Sequence, residues 1–435
     1  MKYCLYALIF WIIPEIAFSQ TASPALTAGP LIGSVTPTTA KVWISYKGAG
    51  PFSVTLVDTV DKTISNPIAS HKIADKYGDT SLILDYTGLK AGHSYRVSHT
   101  LNAKWTPDCK FTTQIDVPVK DLDFLFGSCA LLTTGFWRAF FPGADVRIYR
   151  RMAHTQTNFM VWLGDNLYYL GKDYKSYENM FARNLEVRSK FSLMRKFLAT
   201  QPNYAIWDDH DYGWNDADRT FPLKDTALKV FRGFWPNTYE DNIKQTYFTF
   251  RYNDAEFFMT DGRWWRNPPG DTTGDFLGPE QIKWLKEKLL KSNATFKFIC
   301  MGSQILNDNN HGESYAHYPK ERNDLLNYIV DNNIKGVIFL TGDKHYTELS
   351  KREWRGYPFY DFTSSPISSP VLPRKGLKPY RNPLSVKGTV VYRKNYGRIK
   401  ITGPEGNRSM RLETYGKGGK LKWNYTIKSE ELSRK

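Results

Sequence analysis

The chain has 435 residues, 15% of them aromatic, four cysteines and a formal net charge of +16 at pH 7. Its length exceeds one modest core, so two domains are expected. The cations are scattered rather than blocked, which argues against a stable nucleic-acid complex, while the size of the excess favours an anionic substrate or partner.

Lys2, the apolar stretch 3–13 and the small-residue end at Ala17-Phe18-Ser19-Gln20 have the layout of a secretory signal peptide over residues 1–20. Pro14 and Glu15 break the run before it reaches spanning length, and no later stretch is long and apolar enough to cross a bilayer. The expectation is a secreted or periplasmic protein without a membrane anchor after cleavage. Cys4 would leave with the leader, and Cys109, Cys129 and Cys300 would remain, an odd number that leaves at least one thiol without an internal partner. Cys300, inside the apolar run 296–301, reads as a small buried hydrophobe. The thirteen tryptophans are expected mostly in the core or at domain contacts.

From residue 25 to about 115, short alternating segments such as 39–46 and 52–57 are divided by Gly and Pro clusters and carry no helical periodicity. This predicts an all-β sandwich. Leu89 to Val97 resembles the tyrosine-corner region of fibronectin and immunoglobulin-like domains. From 118 to 432 strand and helix patterns alternate, giving an α/β domain with helices expected at 146–156, 174–199, 223–234, 279–291 and 319–332. Strand patterns return at 397–401, 410–415 and 421–427, either extending the catalytic sheet or packing a second sheet against it.

Four nearly continuous apolar runs, 123–126, 159–163, 204–207 and 337–341, read as buried strands. Each leads into a polar motif: Gly127-Ser128-Cys129, Gly164-Asp165-Asn166-Leu167-Tyr168, Trp207-Asp208-Asp209-His210-Asp211 and Gly342-Asp343-Lys344-His345. The carboxyl ends of such strands are where α/β sheets hold ligands. One thiol, several carboxylates, a phenol and two imidazoles converging there suit two neighbouring metal ions. Asp165 is the natural bridge. Tyr168 binds well only as phenolate and so favours ferric iron, with Cys129 and His345 completing that ion's ligands, while Asp209 and Asp343 offer oxygen to a second, harder ion. Asp208 has the weakest claim among the acids and fits a supporting place. Asn215 and Asp216 fit either an extra calcium or the turn after His210. Arg263 fits a phosphate clamp or a stem laid over the core.

In their order and setting these motifs, with Asp261-Gly262-Arg263, resemble the alkaline phosphatase D (PhoD-like) branch of the calcineurin-like metallophosphoesterases, over almost the whole chain after the leader. The resemblance implies a fibronectin-like domain followed by an αββα-type catalytic domain. It implies Fe3+ held by Cys129, Asp165, Tyr168 and His345, and one or two Ca2+ held partly by Asp165, Asp209 and Asp343, other divalent metals being compatible with these donors. It also implies that His210 faces the leaving group. Relative to the wider superfamily, Cys129 stands where an Asp-x-His motif usually begins, Asp209 where Asn is common and Asp343 where His is usual, departures that favour an oxygen-loving metal at the second site.

The expected activity is hydrolysis of phosphate mono- or diesters, of a polyanionic or nucleotide kind, with His210 as proton donor and Asp211 orienting its ring. Cations of the 174–199 helix and of 374–381 are expected to rim the crevice and steer an anionic ester. A different reading is a non-catalytic, metal-stabilised binder of anionic envelope polymers, which would need the ligands but not His210.

Overall fold

A computed structural model of the chain describes residues 24–134, 146–240, 242–268, 270–271, 273–308, 312–371 and 382–435. The expected leader and the basic stretch 374–381 lie outside the described residues.

Eight strands come first: β1 (Ala25–Val35), β2 (Ala40–Lys47), β3 (Val54–Asp58), β4 (Ile64–Ser65), β5 (Ala69–Ala74), β6 (Asp79–Tyr86), β7 (Ser94–His99) and β8 (Lys110–Thr112). They form two antiparallel four-stranded sheets, ordered β1-β2-β6-β5 and β4-β3-β7-β8. Ile32, Val42 and Leu84 of one sheet share a core with Leu56, Tyr95 and Phe111 of the other. The Tyr95 hydroxyl accepts the backbone N–H of Lys90 at 2.8 Å, five residues upstream, as a tyrosine corner does. Ala28, Leu31, Trp43 and Ile83 belong instead to the core formed with the helices of the following region. Hydrogen bonds cross the same seam, from Ser34 N to the Pro236 carbonyl and from Asn203 Nδ2 to the Ile32 carbonyl, both at 3.0 Å.

The remaining strands are β9 (Leu122–Gly127), β10 (Phe159–Leu163), β11 (Asn203–Ile206), β12 (Phe248–Tyr252), β13 (Ala255–Met259), β14 (Phe296–Met301), β15 (Val337–Thr341), β16 (Glu348–Trp354), β17 (Tyr357–Thr363), β18 (Asn395–Thr402), β19 (Ser409–Gly416) and β20 (Leu421–Lys428). They make two mixed six-stranded sheets, β11-β10-β9-β18-β19-β20 and β12-β13-β14-β15-β17-β16. The late strands therefore extend the sheet that carries β9, β10 and β11. Alternation along each strand serves two cores at once. Phe124, Phe126, Phe159 and Val161 meet Phe257, Phe298 and Leu340 between the sheets, whereas Leu125, Met160 and Trp162 face the outer helical layer. On the second sheet Phe258, Ile299 and Phe339 pack with residues of the helices Pro279–Lys291 and Pro319–Asp331. The result is helix, sheet, sheet, helix.

The helices at Arg147–His154, Lys224–Phe234, Pro279–Lys291 and Pro319–Asp331 follow the sequence pattern closely. The stretch 174–199 does not form one helix. It divides into Tyr177–Lys190, capped by Ser176 accepting the Asn179 N–H, and Ser192–Leu198, with Phe191 extended between them. Phe191 turns out of the helical path to pack against the outer core. Two cations of this stretch are withdrawn from solvent: Arg183 and Arg188 are 5% and 3% exposed, and the Arg188 guanidinium lies 4.8 Å from the Trp235 ring. They stabilise the interior and do not rim a crevice. No described helix is long and apolar enough to cross a membrane.

Candidate metal centre

The four motifs follow β9, β10, β11 and β15, so the crevice draws on both sheets. The backbone there is unusual. Cys129, Asp165, Asp343 and His345 have φ of 58°, 52°, 66° and 54°, in the left-handed region that non-glycine residues rarely enter. Each such residue costs about 1–3 kcal/mol, and such residues cluster at functional sites. Close approach explains two glycines: a Cβ on Gly164 would lie 2.5 Å from the Asp208 Cβ, and one on Gly302 would lie 2.4 Å from the Asp208 carboxyl carbon.

Cys129 Sγ lies 3.5 Å from Asp165 Oδ2, the same oxygen that accepts the Tyr168 hydroxyl at 2.9 Å. The Tyr168 hydroxyl is 3.2 Å from His345 Nε2, and His345 Nδ1 is 2.6 Å from the Pro370 carbonyl. That second contact orients the ring with Nε2 toward the cluster. Cys129, Asp165 and His345 offer three ligand atoms within 4.8 Å of one another, and so do Asp165, Asp209 and His210. Asp165 belongs to both sets, as a bridging carboxylate must. Asp208, Asp209 and Glu313 form a third such set.

Burial pushes the Cys129 thiol up, but His345 beside it prevails and holds it below its ordinary value. Burial pulls the His345 imidazole down, and the sulfur overcomes this, leaving it pushed up to about 9. Burial, then Asp209 and Cys129, raise the Asp165 acid, and burial and Asp165 raise the Tyr168 phenol. Four electron-rich donors are thus crowded where water cannot relax them. Asp208 Oδ2, Asp209 Oδ1 and His210 Nδ1 are buried with no hydrogen-bond partner, which buried polar atoms rarely tolerate. Thiol, phenol, imidazole and carboxylates, with buried lone pairs that make no hydrogen bond, fit a metal centre.

A family model described as PhoD-like phosphatase matches residues 124–411. The chain belongs to the PhoD-like phosphatase family. Alkaline phosphatase D of Bacillus subtilis (strain 168) is 26% identical over an alignment covering 52% of this chain and 46% of that protein, so the chain spans about half the length of this curated relative. A solved PhoD structure superposes with a TM-score of 0.73 at 18% identity, covering 94% of this chain and 92% of that one, and shows that the two share a fold.

Within this PhoD-like site several predicted residues sit otherwise than expected. Asp211 does not touch the His210 ring. Its oxygens accept the backbone N–H of Asn166 and that of Asp208, each at 3.0 Å, and burial pushes its acid up to about 7 against those donors. It ties the β10 turn to the β11 turn, and the His210 ring is held instead by Tyr168, whose ring centre is 4.0 Å away. Arg263 is fully buried, its guanidinium committed to Asp208, Glu313 and the Ala217 carbonyl. Asp343 joins none of the ligand sets among the described residues; one of its carboxylate oxygens lies 3.6 Å from Lys344 Nζ. The Asp216 backbone N–H donates to Asp209 Oδ2 at 2.8 Å, a turn contact, and Asn215 is exposed.

Three residues that the sequence did not single out complete the surroundings. Glu313 pairs with Arg263 and with Arg266 at 2.7 Å, Lys344 donates to the Glu313 carbonyl, and Ser365 Oγ lies 3.1 Å from Cys129 Sγ. Lys344 had a signal, its place between Asp343 and His345. Glu313 and Ser365 stand in loops with no strand-end pattern of their own.

Proposed function

We propose that this chain is an exported, metal-dependent phosphoric-ester hydrolase acting on phosphate mono- or diesters. The observation that carries this reading is the convergence of Cys129, Asp165, Tyr168, Asp209 and His345 around buried lone pairs with no partner. In the proposal Cys129, Asp165, Tyr168 and His345 would hold Fe3+, and Asp165, Asp209 and Asp343 would contribute to holding Ca2+. Bound ions would supply positive charge against the phosphoryl oxygens and a nucleophile from water at neutral pH.

The remaining work falls to the chain's own side chains. His210 packs against the Tyr168 ring at a tilt of 31°, with Nδ1 making no hydrogen bond and Nε2 3.8 Å from Asp209 Oδ2, which supports a role as proton donor to the departing alkoxide. Asp211 keeps the His210 turn in register with Asn166. Arg263, held by Glu313, fixes the Asp208 carboxylate and lies 3.7 Å from Asp209 Oδ1, so it positions acids rather than gripping substrate. The non-catalytic reading would use His210 only as a metal ligand beside Asp165 and Asp209, so ester turnover separates the two readings. Residues 25–115 are proposed as a fibronectin-like unit buttressing the catalytic region 118–432, and residues 1–20 as the export signal.

The test is metal content of protein purified without chelator, together with turnover of one aryl phosphomonoester and one aryl phosphodiester. A coloured, iron- and calcium-containing protein that cleaves either ester is expected, with Tyr168→Phe shifting or removing the visible band. Metal-replete protein inert toward both esters would overturn the hydrolase reading, and colourless active protein holding only zinc would overturn the iron assignment.

A further inference from the structure

Beside the metal centre lie two adjoining hollows of about 530 and 490 Å3, both lined by Tyr392, Arg393 and Lys422. The first is closed by Val391 and Trp423 and the second by Val371, Lys394, Lys417 and Lys420. Five cations and no carboxylate line the pair. Arg393, Lys420 and Lys422 are exposed and make no ion pair among the described residues, in a molecule where most buried cations are tied to acids. A second, independent observation points the same way. Trp423 is 8% exposed, lines the first hollow, and its indole N–H has no acceptor. An N–H donor and three unpaired cations in one groove ask for an anion with several acceptor oxygens.

The groove is joined to the catalytic crevice through covalent and hydrogen-bonded neighbours. Val371 of the second hollow directly follows Pro370, whose carbonyl holds the His345 ring. Val391 of the first hollow exchanges backbone hydrogen bonds of 2.8 and 3.1 Å with Thr347, two residues after His345. The Tyr392 ring lies 5.9 Å from that of Tyr346. A polyanion seated across both hollows would meet Arg393 and Lys422 where they adjoin, and Lys420 in the second.

We infer that this groove is a subsite for the further phosphates of a linear phosphodiester substrate, beyond the ester being cleaved. The inference rests on the hydrolase reading for its substrate, and it gives the strong positive charge of the chain a definite address. Exposed cations raise encounter rates with polyanions by about tenfold to a thousandfold, an effect that salt screens.

The experiment compares a phosphodiester oligomer of six phosphates with its uncharged methylphosphonate counterpart, binding measured by calorimetry on metal-loaded protein, and follows turnover of a small aryl ester in parallel. The triple variant Arg393→Gln/Lys420→Gln/Lys422→Gln is tested beside Trp423→Phe, which keeps the ring and removes the donor. Expected is binding of the charged oligomer at least tenfold tighter than the neutral one, a preference that the triple variant loses and Trp423→Phe reduces, while small-ester kcat/KM and metal content stay unchanged. Equal affinity for both oligomers in the unaltered protein would overturn the subsite, as would an unchanged preference in the triple variant. A triple variant that loses small-ester turnover in equal proportion would also overturn it, assigning these residues to the metal centre or the fold. Charge-dependent binding that persists in a protein cleaving no ester would uphold the groove and overturn the hydrolase reading alone.

Discussion

Among the described residues, the N-terminal sandwich and the crevice each place acids and a histidine within reach of a metal ion, and they are built to opposite specifications. In the N-terminal sandwich Asp58, Asp61 and His93 form one such set. There each residue of the set has a protein partner: Asp58 accepts the N–H groups of Val60 and Asp61, and His93 Nδ1 lies 2.8 Å from it, while Asp61 pairs with Lys90. In the crevice, Asp208, Asp209 and His210 each keep a buried atom with no hydrogen-bond partner, and their neighbours Cys129, Asp165, Asp343 and His345 sit in left-handed backbone. A satisfied cluster holds a fold together. An unsatisfied, strained and buried one has the properties that a site for a bound ion requires.

The largest expected effect comes from removing the shared ligand. Asp165→Asn should empty the centre and lower ester turnover by more than about a thousandfold, since the metal charge is worth several kcal/mol to the transition state. The matching change Asp58→Asn in the sandwich should leave metal content and turnover untouched. Elemental analysis beside a turnover assay reads both, and equal loss from the two changes would erase the distinction between the clusters.

Next comes His210→Ala, expected to retain metal and fold while lowering turnover of alkyl esters by about a hundredfold to ten-thousandfold. Esters with acidic leaving groups depart without help and should lose less. Equal losses for both would remove the proton-donor role.

Glu313→Gln sharpens the comparison from the side of stability, because it strips Arg263 and Arg266 of a buried counter-charge. Breaking a buried pair by removing one partner costs about 3–5 kcal/mol. Denaturant unfolding should show a loss of that order, with the Asp208 and Asp209 carboxylates less well held and turnover reduced in parallel.

The smallest effect concerns pH. Burial raises the Asp58 acid, but the Val60 and Asp61 N–H groups and His93 prevail, so its folded value lies below the ordinary one. Its contribution is therefore present above about pH 4, the unfolded range, and is lost as pH falls through the lower folded value. Unfolding midpoints measured with and without calcium should decline together over that acid window, and Asp58→Asn should flatten the decline. Calcium-dependent protection of the sandwich would make its cluster a metal site after all.

The strands β9, β10, β11 and β15 and the motifs after them were legible in the sequence, because a fully buried strand must be a continuous apolar run and the chain must turn polar where it leaves the sheet. Cys129, Asp165, Tyr168, Asp209 and His345 were legible for that reason, and so was the switch from alternating segments to helix and strand near residue 118. The broken helix at Phe191 was not, since its residues keep helical periodicity on both sides of the break and only packing against the outer core pulls Phe191 aside.

What the sequence by itself determined is local: which segments become strands, which helices carry an apolar face, and which strand ends carry thiol, phenol, imidazole and carboxylate side chains able to ligate a metal. Tertiary structure alone decided that β15 lies in a different sheet from β9, β10 and β11, so that one crevice forms between layers. It decided that Arg263 is spent on Glu313 and Asp208, that Asp211 ties two turns together instead of orienting His210, and that Arg393, Lys420 and Lys422 share one groove. The physical reason is the range of the forces involved. Burial periodicity and turn chemistry act over a few residues of chain, whereas a charge chooses its partner by distance in space, and those partners stand 50 residues apart for Arg263 and Glu313 and 45 apart for Asn166 and Asp211.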